Sequence, residues 1–244
     1  KVSRRFLVEG SPSAILNIVD GTNIERNLYL TTQLAELGLP MVVAVNMMDL
    51  VRKNGDKIDM GRIADALGCE VVGISAQHNE GGVEAAERAV ALARAGKKTD
   101  VPHVFTGPVE HAIAHIEETI EGKVDARALR WFAVKVFERD AEIIDLLGLD
   151  AETREHLDAH VRDCEKELDD DAESIITNQR YDFIKTLVGK AVAKKRHAKT
   201  LTLSDKIDKV VTHKILALPI FIVSLCVMWF LAVSDCGPGT KLTD

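Results

Sequence analysis

The sequence predicts an α/β domain with a parallel sheet, followed by an all-α helical bundle and one transmembrane helix. Short, nearly continuous apolar runs alternate with amphipathic stretches over about the first hundred residues. Helical patterns with charged faces fill the middle of the chain. Residues 215–233 form a run of 19 without a charge. With 244 residues, 46% of them hydrophobic, the chain can bury a core of one or two domains.

Composition excludes several classes of protein. A formal net charge of −7 argues against a nucleic-acid partner, because such proteins usually carry a basic footprint. The four cysteines are widely spaced and favour a reducing compartment over a disulfide framework. No secretory signal is visible. Since the sequence begins at Lys1 on a charged stretch, we expect an N-terminal truncation.

Three apolar runs have the character of buried strands, and three helical patterns alternate with them. The runs are 14–19, 41–45 and 70–74, and the helical patterns are 24–37, 60–67 and 83–95. Thr22 followed by Glu25 predicts a capping box at the start of the first helix. Gly38 and Gly68 predict the ends of the first two helices. This alternation favours a parallel sheet covered on both faces, with a ligand site beyond the carboxyl ends of the strands.

Polar groups follow two of these runs directly. Asn46, Met47 and Asp49 come after the second run, and Ser75 and Ala76 after the third. A carboxylate can accept from the two adjacent N–H donors of guanine, an amide can donate and accept, and a backbone N–H at the tight turn can meet the guanine oxygen. The alternative is that Asn46 and Asp49 only cap the next segment. Because both groups end buried strands, we favour guanine recognition.

The middle of the chain predicts a bundle of helices. The helical patterns are 109–121, 125–139, 141–147, 151–171 and 173–199, with Gly122 and Gly148 as stops and 98–108 as a linker. His111 and His115 are four positions apart, and His156, His160 and Cys164 follow one another at intervals of four. Each of these two sets therefore lies on one face of a helix. We interpret them as polar positions on solvated helices and predict no metal site, since no second helix offers an identifiable partner. The acidic run 165–171 is also interpreted as a solvated helix end.

The uncharged run 215–233 predicts a membrane helix and hence a lipid bilayer as partner. At ~1.5 Å per residue it is about as long as the ~30 Å hydrocarbon core is thick. Seven lysines and arginines precede it between 194 and 214, and only Lys241 follows, so the positive-inside rule places the N-terminal part in the cytoplasm. Cys226 within the run is interpreted as a small apolar filler.

Four segments resemble the ferrous iron transport protein B (FeoB) family. They are NIVDGTNIERNLYLTTQLAELGLP, VVAVNMMD, GISAQHNEGG and, before the membrane run, KIDKVVTHKILALPIF. General G proteins carry Asn-Lys-x-Asp, and Met47 stands in place of that lysine, as in the variant of this family. The resemblance implies the latter half of a P-loop GTPase-like G domain at 1–97, a helical domain similar to a nucleotide-dissociation inhibitor at 109–204, and a juxtamembrane segment with the first membrane helix at 205–244.

The resemblance also implies ligands and a location. GTP or GDP would be read by Asn46, Met47, Asp49, Ser75 and Ala76, Fe²⁺ would be the transported ion of the full-length protein, and the location would be the inner membrane of a bacterium. Whether the protein forms a homo-oligomer is left open. The motif GxxxxGK[ST] does not occur in the sequence, and neither do the magnesium-side Asp-x-x-Gly and switch threonine of the family. We therefore assign no catalytic residue, expect Mg²⁺ only in the full-length protein, and predict that this chain alone does not hydrolyse GTP.

Two other functions are compatible with these residues. The first is a membrane-anchored guanine-nucleotide switch without transport activity. The second is an anchored scaffold that binds no nucleotide. The number of membrane spans in the complete gene separates transport from the switch, and guanine binding separates both from the scaffold.

Overall fold

The computed structural model describes residues 12–96, 101–195 and 217–233, together with residues 6, 10 and 211. The strands are β1 Ile15–Asp20, β2 Met41–Asn46, β3 Lys57–Ile58, β4 Glu70–Gly73 and β5 Val192–Ala193. The helices are α1 Ile24–Ala35, α2 Met48–Lys53, α3 Met60–Leu67, α4 Gly82–Ala95, α5 Gly107–Ile120, α6 Leu129–Phe137, α7 Ala141–Leu146, α8 Ala151–Leu168, α9 Ala172–Ala191 and α10 Ala217–Val233. The chain divides into one compact unit up to residue 195 and a second from residue 196.

A parallel sheet with the strand order β1-β2-β4 confirms the predicted fold class of the first domain. Ile15 pairs with Met41, and Val42 pairs with Glu70, so β2 lies in the centre. Residues 41–45 are all buried, which explains why the sequence of β2 is continuously apolar rather than alternating. The carboxyl ends of β2 and β4 therefore meet at one edge of the sheet.

The two faces of β2 belong to different hydrophobic clusters. Met41, Val43 and Val45 pack in the larger cluster, which also contains residues of α1, of α3 and of the helices α5 to α9. Val42 and Ala44 pack in the smaller cluster with β4 and α4. Helix α9 lies against both α1 and α3, so the helical segment completes the cover of one sheet face.

The predicted capping box at the start of α1 is wrong. A 3-10 turn, Gly21–Asn23, precedes the helix, and Asp20 caps that turn. The Oδ1 atom of Asp20 accepts from the backbone N of Thr22 at 2.8 Å and from its hydroxyl at 2.7 Å. Asp20 thus holds the Thr22 hydroxyl, and Asn23 at the N-cap makes no side-chain cap. The predicted stop at Gly68 is confirmed, since this glycine has φ +64° as the C-cap of α3.

Two features of the helical segment differ from the prediction. Helix α9 ends at Ala191, and residues 192–193 instead pair antiparallel with β3, so the helix predicted over 173–199 is too long. In the predicted linker, Val104 and Phe105 are buried in the core, and Gly107 and Pro108 belong to the first turn of α5. Residues 98–100 of the predicted linker and residues 196–199 of the predicted helix lie outside the described residues.

Helix α10 contains 17 of the 19 residues of the uncharged run. The Ser224 hydroxyl donates to the Phe221 carbonyl at 2.8 Å, which satisfies a polar group within the helix itself. Among the described ranges, no helix reaches the length and apolarity needed to cross a membrane. Residues 215–216, most of the basic flank before them, and Cys236 and Lys241 after the helix lie outside the described residues.

Candidate functional site

The structure brings four of the five predicted site residues together at the carboxyl ends of β2 and β4. The Asn46 Oδ1 atom accepts from the backbone N–H of Ala76 at 3.0 Å. The Ser75 hydroxyl donates to the Asp49 Oδ1 atom at 2.7 Å. Asn46 at the end of β2 and Asp49 just after it are thus each bonded to a residue that follows β4, although the two groups are about thirty positions apart in the chain.

Met47, the fifth predicted residue, is the bend between β2 and α2. Its φ of 63° lies in the left-handed region, which costs an L-residue roughly 1–2 kcal/mol. The Met48 N–H donates to the Ile74 carbonyl at 3.2 Å, which ties this bend to the segment after β4. Met47, which directly follows Asn46 in the chain, is 39% exposed. An apolar surface therefore adjoins the hydrogen-bonding groups.

A closed loop over residues 75–81 holds Ser75 in place. Ser75 and Glu80 exchange two backbone hydrogen bonds of 3.0 Å each, and Ser75 is fully buried. Gly81 follows with φ +74°, and a Cβ atom there would lie 2.7 Å from the Gly73 carbonyl oxygen. An Arg52–Glu80 ion pair at 2.7 Å links the loop to α2. The loop that carries Ser75 is thus tied to α2, the helix that carries Asp49.

The electrostatics of the site keep Asp49 ionised. The hydrogen bond from Ser75 lowers the pKa of the Asp49 carboxyl, and the nearby His78 lowers it further, whereas partial burial acts in the opposite direction. The Asp49 side chain is 19% exposed. An ionised carboxylate at this position can accept hydrogen bonds from two adjacent N–H groups of a ligand.

Sequence reasoning missed His78, Arg52 and Glu80 as parts of this site. His78 Nδ1 lies 3.0 Å from the Ser75 hydroxyl and 4.0 Å from Asp49 Oδ2. The sequence did contain one signal that could have identified His78. This residue stands three positions after Ser75, in a loop beyond a predicted strand end. Arg52 and Glu80 gave no local signal, because their pairing depends on the packing of α2 against the loop.

The histidines correct another expectation. His111 and His115 on α5 do meet a second helix, because the ring centroids of His115 and His160 on α8 lie 4.9 Å apart and nearly parallel. His111 and His156 extend this row at 4.6 and 4.9 Å from their neighbours. Cys164 lies apart from the row: it is buried, and its thiol donates to the Pro108 carbonyl at 3.3 Å. Within the described part of the chain, no group of three or more such side chains is arranged to hold a metal ion.

Comparison with known proteins places these features in a known context. The family model described as "Ferrous iron transport protein B" matches residues 1–89, and the one described as "FeoB cytosolic helical domain" matches residues 105–193. The "Fe(2+) transporter FeoB" of Escherichia coli (strain K12) is 29% identical over 244 residues, which cover 100% of this chain and 31% of that protein. The "Fe(2+) transport protein A/Fe(2+) transporter FeoB fusion protein" of Porphyromonas gingivalis is 34% identical over 237 residues, 93% of this chain and 28% of that protein. The chain thus spans about a third of the length of these relatives.

Two solved structures from S. thermophilus resemble the chain. A GDP-bound mutant of the FeoB G-domain has a TM-score of 0.74 and 35% identity, covering 79% of this chain and 74% of that chain. The mGMPPNP-bound NFeoB has a TM-score of 0.72 and 35% identity, covering 80% of this chain and 73% of that chain.

Proposed function

The chain belongs to the FeoB family of ferrous iron transport proteins, and we propose on this basis that its α/β unit binds GTP or GDP by recognising the guanine base. The observation that carries the proposal is the pairing of Asn46 with Ala76 and of Asp49 with Ser75 at the ends of adjacent parallel strands. The nucleotides bound in the solved relatives support the choice of ligand.

Each residue has a distinct role in this proposal. The Asp49 carboxylate accepts from the ring N1–H and the exocyclic amino group of guanine, a donor pair that adenine lacks. The Asn46 amide donates to a ring acceptor, while its Oδ1 atom holds the Ala76 N–H. That N–H is then shared with the guanine carbonyl oxygen. Met47 covers the face of the base with its flexible apolar side chain.

The experiment exchanges the hydrogen-bonding pattern of Asp49. The chain, kept in a mild detergent, is titrated with GMP, AMP and XMP, and saturation-transfer NMR gives the dissociation constants. We expect the wild-type chain to prefer GMP. Asp49→Asn should prefer XMP, because an amide offers one donor and one acceptor and xanthine carries a carbonyl where guanine carries its amino group.

The expected loss of GMP affinity in Asp49→Asn is roughly 10- to 150-fold, corresponding to a charge-assisted hydrogen bond of about 1.5–3 kcal/mol. An Asn side chain can still accept from Ser75, so the loop should keep its structure. Equal affinity of the two variants for GMP would overturn the assigned role of Asp49.

We further propose that the chain alone does not hydrolyse GTP. Its sequence contains no GxxxxGK[ST] motif to hold phosphates and Mg²⁺, on which phosphoryl transfer depends. Phosphate release from GTP and Mg²⁺ in the presence of the purified chain should equal that of the buffer. Turnover that depends on the chain and disappears in Asp49→Asn would contradict this.

For the second unit, we propose that residues 215–233 cross the cytoplasmic membrane of a bacterium, with the preceding part in the cytoplasm. The absence of charge over 19 residues, the helical form of 217–233 and the internally bonded Ser224 support this. In vesicles of phosphatidylethanolamine and phosphatidylglycerol, proteinase K should leave a protected peptide that spans this run. Leu225→Arg should reduce protection, because a central arginine costs about 2.5–3.5 kcal/mol on insertion scales. Complete digestion of the wild-type run would refute the proposal.

At the level of the whole protein, we propose a nucleotide-controlled Fe²⁺ transporter in which a G domain (1–97) and a helical domain (109–204), joined by 98–108, precede the membrane part (205–244). The relatives from Escherichia coli and Porphyromonas gingivalis are Fe(2+) transporters, which supports this proposal. A membrane-anchored guanine-nucleotide switch without transport is the second candidate, since the nucleotide site and the apolar run alone would serve it. Uptake of radioactive Fe²⁺ by cells that produce the full-length protein separates the two. If the protein is a transporter, these cells should take up Fe²⁺, and the uptake should fall in Asp49→Asn. If it is a switch without transport, they should show no Fe²⁺ uptake.

A further inference from the structure

We propose that His78 is a positioning residue for guanine recognition and sets how strongly the site demands the 2-amino group of the base. The inference rests on the proposed function of Asp49 and deepens it. His78 lies one hydrogen bond further from the ligand site than Ser75, so it acts through Ser75 and Asp49.

Counting hydrogens fixes the direction of this chain of bonds. The Ser75 hydroxyl has a single hydrogen, and the 2.7 Å contact with the ionised Asp49 carboxylate uses it. At the 3.0 Å contact with His78 Nδ1, the Ser75 oxygen must therefore act as the acceptor. His78 consequently carries its hydrogen on Nδ1 and donates it to Ser75. The opposite tautomer would accept the Ser75 hydrogen and leave Asp49 without it.

The loop backbone holds the imidazole in position for this bond. His78 ends a 3-10 turn, Ala76–His78, in which its N–H donates to the Ser75 carbonyl at 3.1 Å. Asn79 follows in the left-handed region with φ 54°, and Glu80 then closes the loop on Ser75. The His78 side chain is 54% exposed, so burial alone does not fix its ring. The hydrogen bond to Ser75 is what orients it.

The orientation of the Asp49 carboxylate decides which bases bind. Both adjacent donors of guanine are satisfied only if the two carboxylate oxygens face them together. With Oδ1 fixed by Ser75, Oδ2 remains 4.0 Å from His78 Nδ1, beyond hydrogen-bonding distance from that atom. When Ser75 turns toward His78 instead, the carboxylate can rotate and the second donor contact weakens. That contact involves the 2-amino group, which hypoxanthine lacks.

The first test measures the tautomer directly and needs no nucleotide. Long-range ¹H–¹⁵N NMR of the histidine-labelled chain distinguishes a hydrogen on Nδ1 from one on Nε2, and His78→Gln identifies the resonance. We expect His78 at neutral pH to be protonated on Nδ1. A neutral ring protonated on Nε2 would overturn the proposal, whatever the chain binds.

The second test measures base discrimination with GMP and IMP, which share their phosphate and sugar. His78→Ala should lower the ratio of the two affinities by roughly two- to tenfold, the effect of one neutral hydrogen bond. His78→Asn is the matched control, because its amide nitrogen lies as many bonds from Cα as Nδ1 does and can donate to Ser75. It should restore the ratio, whereas a purely structural effect would lower affinity for GMP and IMP equally.

The outcomes separate this inference from the proposed function. A wild-type chain that binds GMP and AMP equally well refutes guanine recognition itself. A wild-type chain that prefers guanine, with His78→Ala at the same GMP-to-IMP ratio, refutes only the role of His78. Should His78→Ala fail to fold, as judged by its circular dichroism, His78→Leu replaces it in the same comparison, because leucine also carries no donor.

Discussion

Arg180 on α9 forms a bidentate pair of hydrogen bonds with Glu36, the residue directly after α1. The Nε and Nη2 atoms lie 3.2 and 2.8 Å from the two carboxylate oxygens, and both side chains are only 1% exposed. Nη1 of the same guanidinium lies 3.0 Å from a Glu138 oxygen near the end of α6. The rings of Tyr29 and Phe105 lie 5.8 and 5.5 Å away, within cation–π range. A buried cation thus joins the sheet-covering helix α1 to the helical segment.

Removal of this cation should strongly destabilise the first unit. In Arg180→Met, the buried carboxylate of Glu36 loses its partner, and we expect the free energy of unfolding to fall by about 3–5 kcal/mol. Urea unfolding followed by tryptophan fluorescence, with Trp131 buried in the same core, measures the change. The double variant Glu36→Leu with Arg180→Met should recover part of the loss, because it leaves no unpaired charge at Glu36. A double variant less stable than Arg180→Met would show that the pair is not the cause.

Gly81 offers a test of the loop that holds Ser75. Gly81→Ala places a Cβ atom 2.7 Å from the Gly73 carbonyl oxygen at φ +74°, so we expect a loss of at least about 1 kcal/mol of stability and weaker GMP binding. Gly82→Ala is the matched control, because a Cβ atom at the neighbouring glycine meets nothing within 4 Å. Thermal unfolding of both variants gives the comparison. Equal melting temperatures would exclude a steric requirement at Gly81.

His160 makes stability depend on pH. Burial lowers the pKa of His160, and His156, His115 and His111 lower it further, against the opposing charge of Asp163. The unfolded chain therefore binds a proton at a pH where the native His160 does not, and stability falls as the pH drops through and below the usual pKa of about 6.5.

Urea unfolding at pH 7.5 and 5.5 measures this dependence. His160→Gln should lose less stability over the interval than the wild-type chain. Glu118, 3.7 Å from His115, faces the same row and remains in both proteins, so the difference isolates His160. An identical pH dependence in the variant would contradict the assignment.

Cys69 should react slowly with alkylating reagents in the native chain. Burial and the neighbouring Glu70 raise the pKa of the Cys69 thiol to about 12, so almost none of it is thiolate at pH 8. Iodoacetamide labelling resolved by mass spectrometry should show a rate roughly 1000-fold below that of the same cysteine in guanidinium chloride. The unfolded sample is its own control for peptide recovery. Equal native and unfolded rates would show that the thiol is neither buried nor protonated.

Much of the fold could be predicted from local patterns. The continuous apolar run 41–45 indicated a central buried strand, and Gly68 indicated the end of α3, since both signals depend only on neighbouring residues. The parallel sheet also followed from the alternation of strands and helices. The short elements α2 and β3 could not be predicted, because six and two residues are too few to show a period.

For the candidate site and for two features outside it, the sequence again predicted some features and missed others. The positions of Asn46, Asp49 and Ser75 at strand ends were readable from the sequence, and their proximity followed from parallel pairing. The role of Thr22 was predicted incorrectly, because Asp20 competes for its hydroxyl. The contact between His115 and His160 was missed, because a helical pattern shows which residues share a face and not which helix that face meets.

By itself, then, the sequence determined the three strands of the parallel sheet, the polar residues beyond two of them, and the uncharged run 215–233. Only the tertiary structure decided which distant groups meet: Arg180 with Glu36 across 144 positions, β5 with β3, and His78 with Ser75 and Asp49. The physical reason is the difference in sequence range between local preferences and tertiary contacts. Backbone preference and hydrophobic period act between near neighbours in the chain, whereas a hydrogen bond or ion pair between remote residues exists only once packing has fixed both ends.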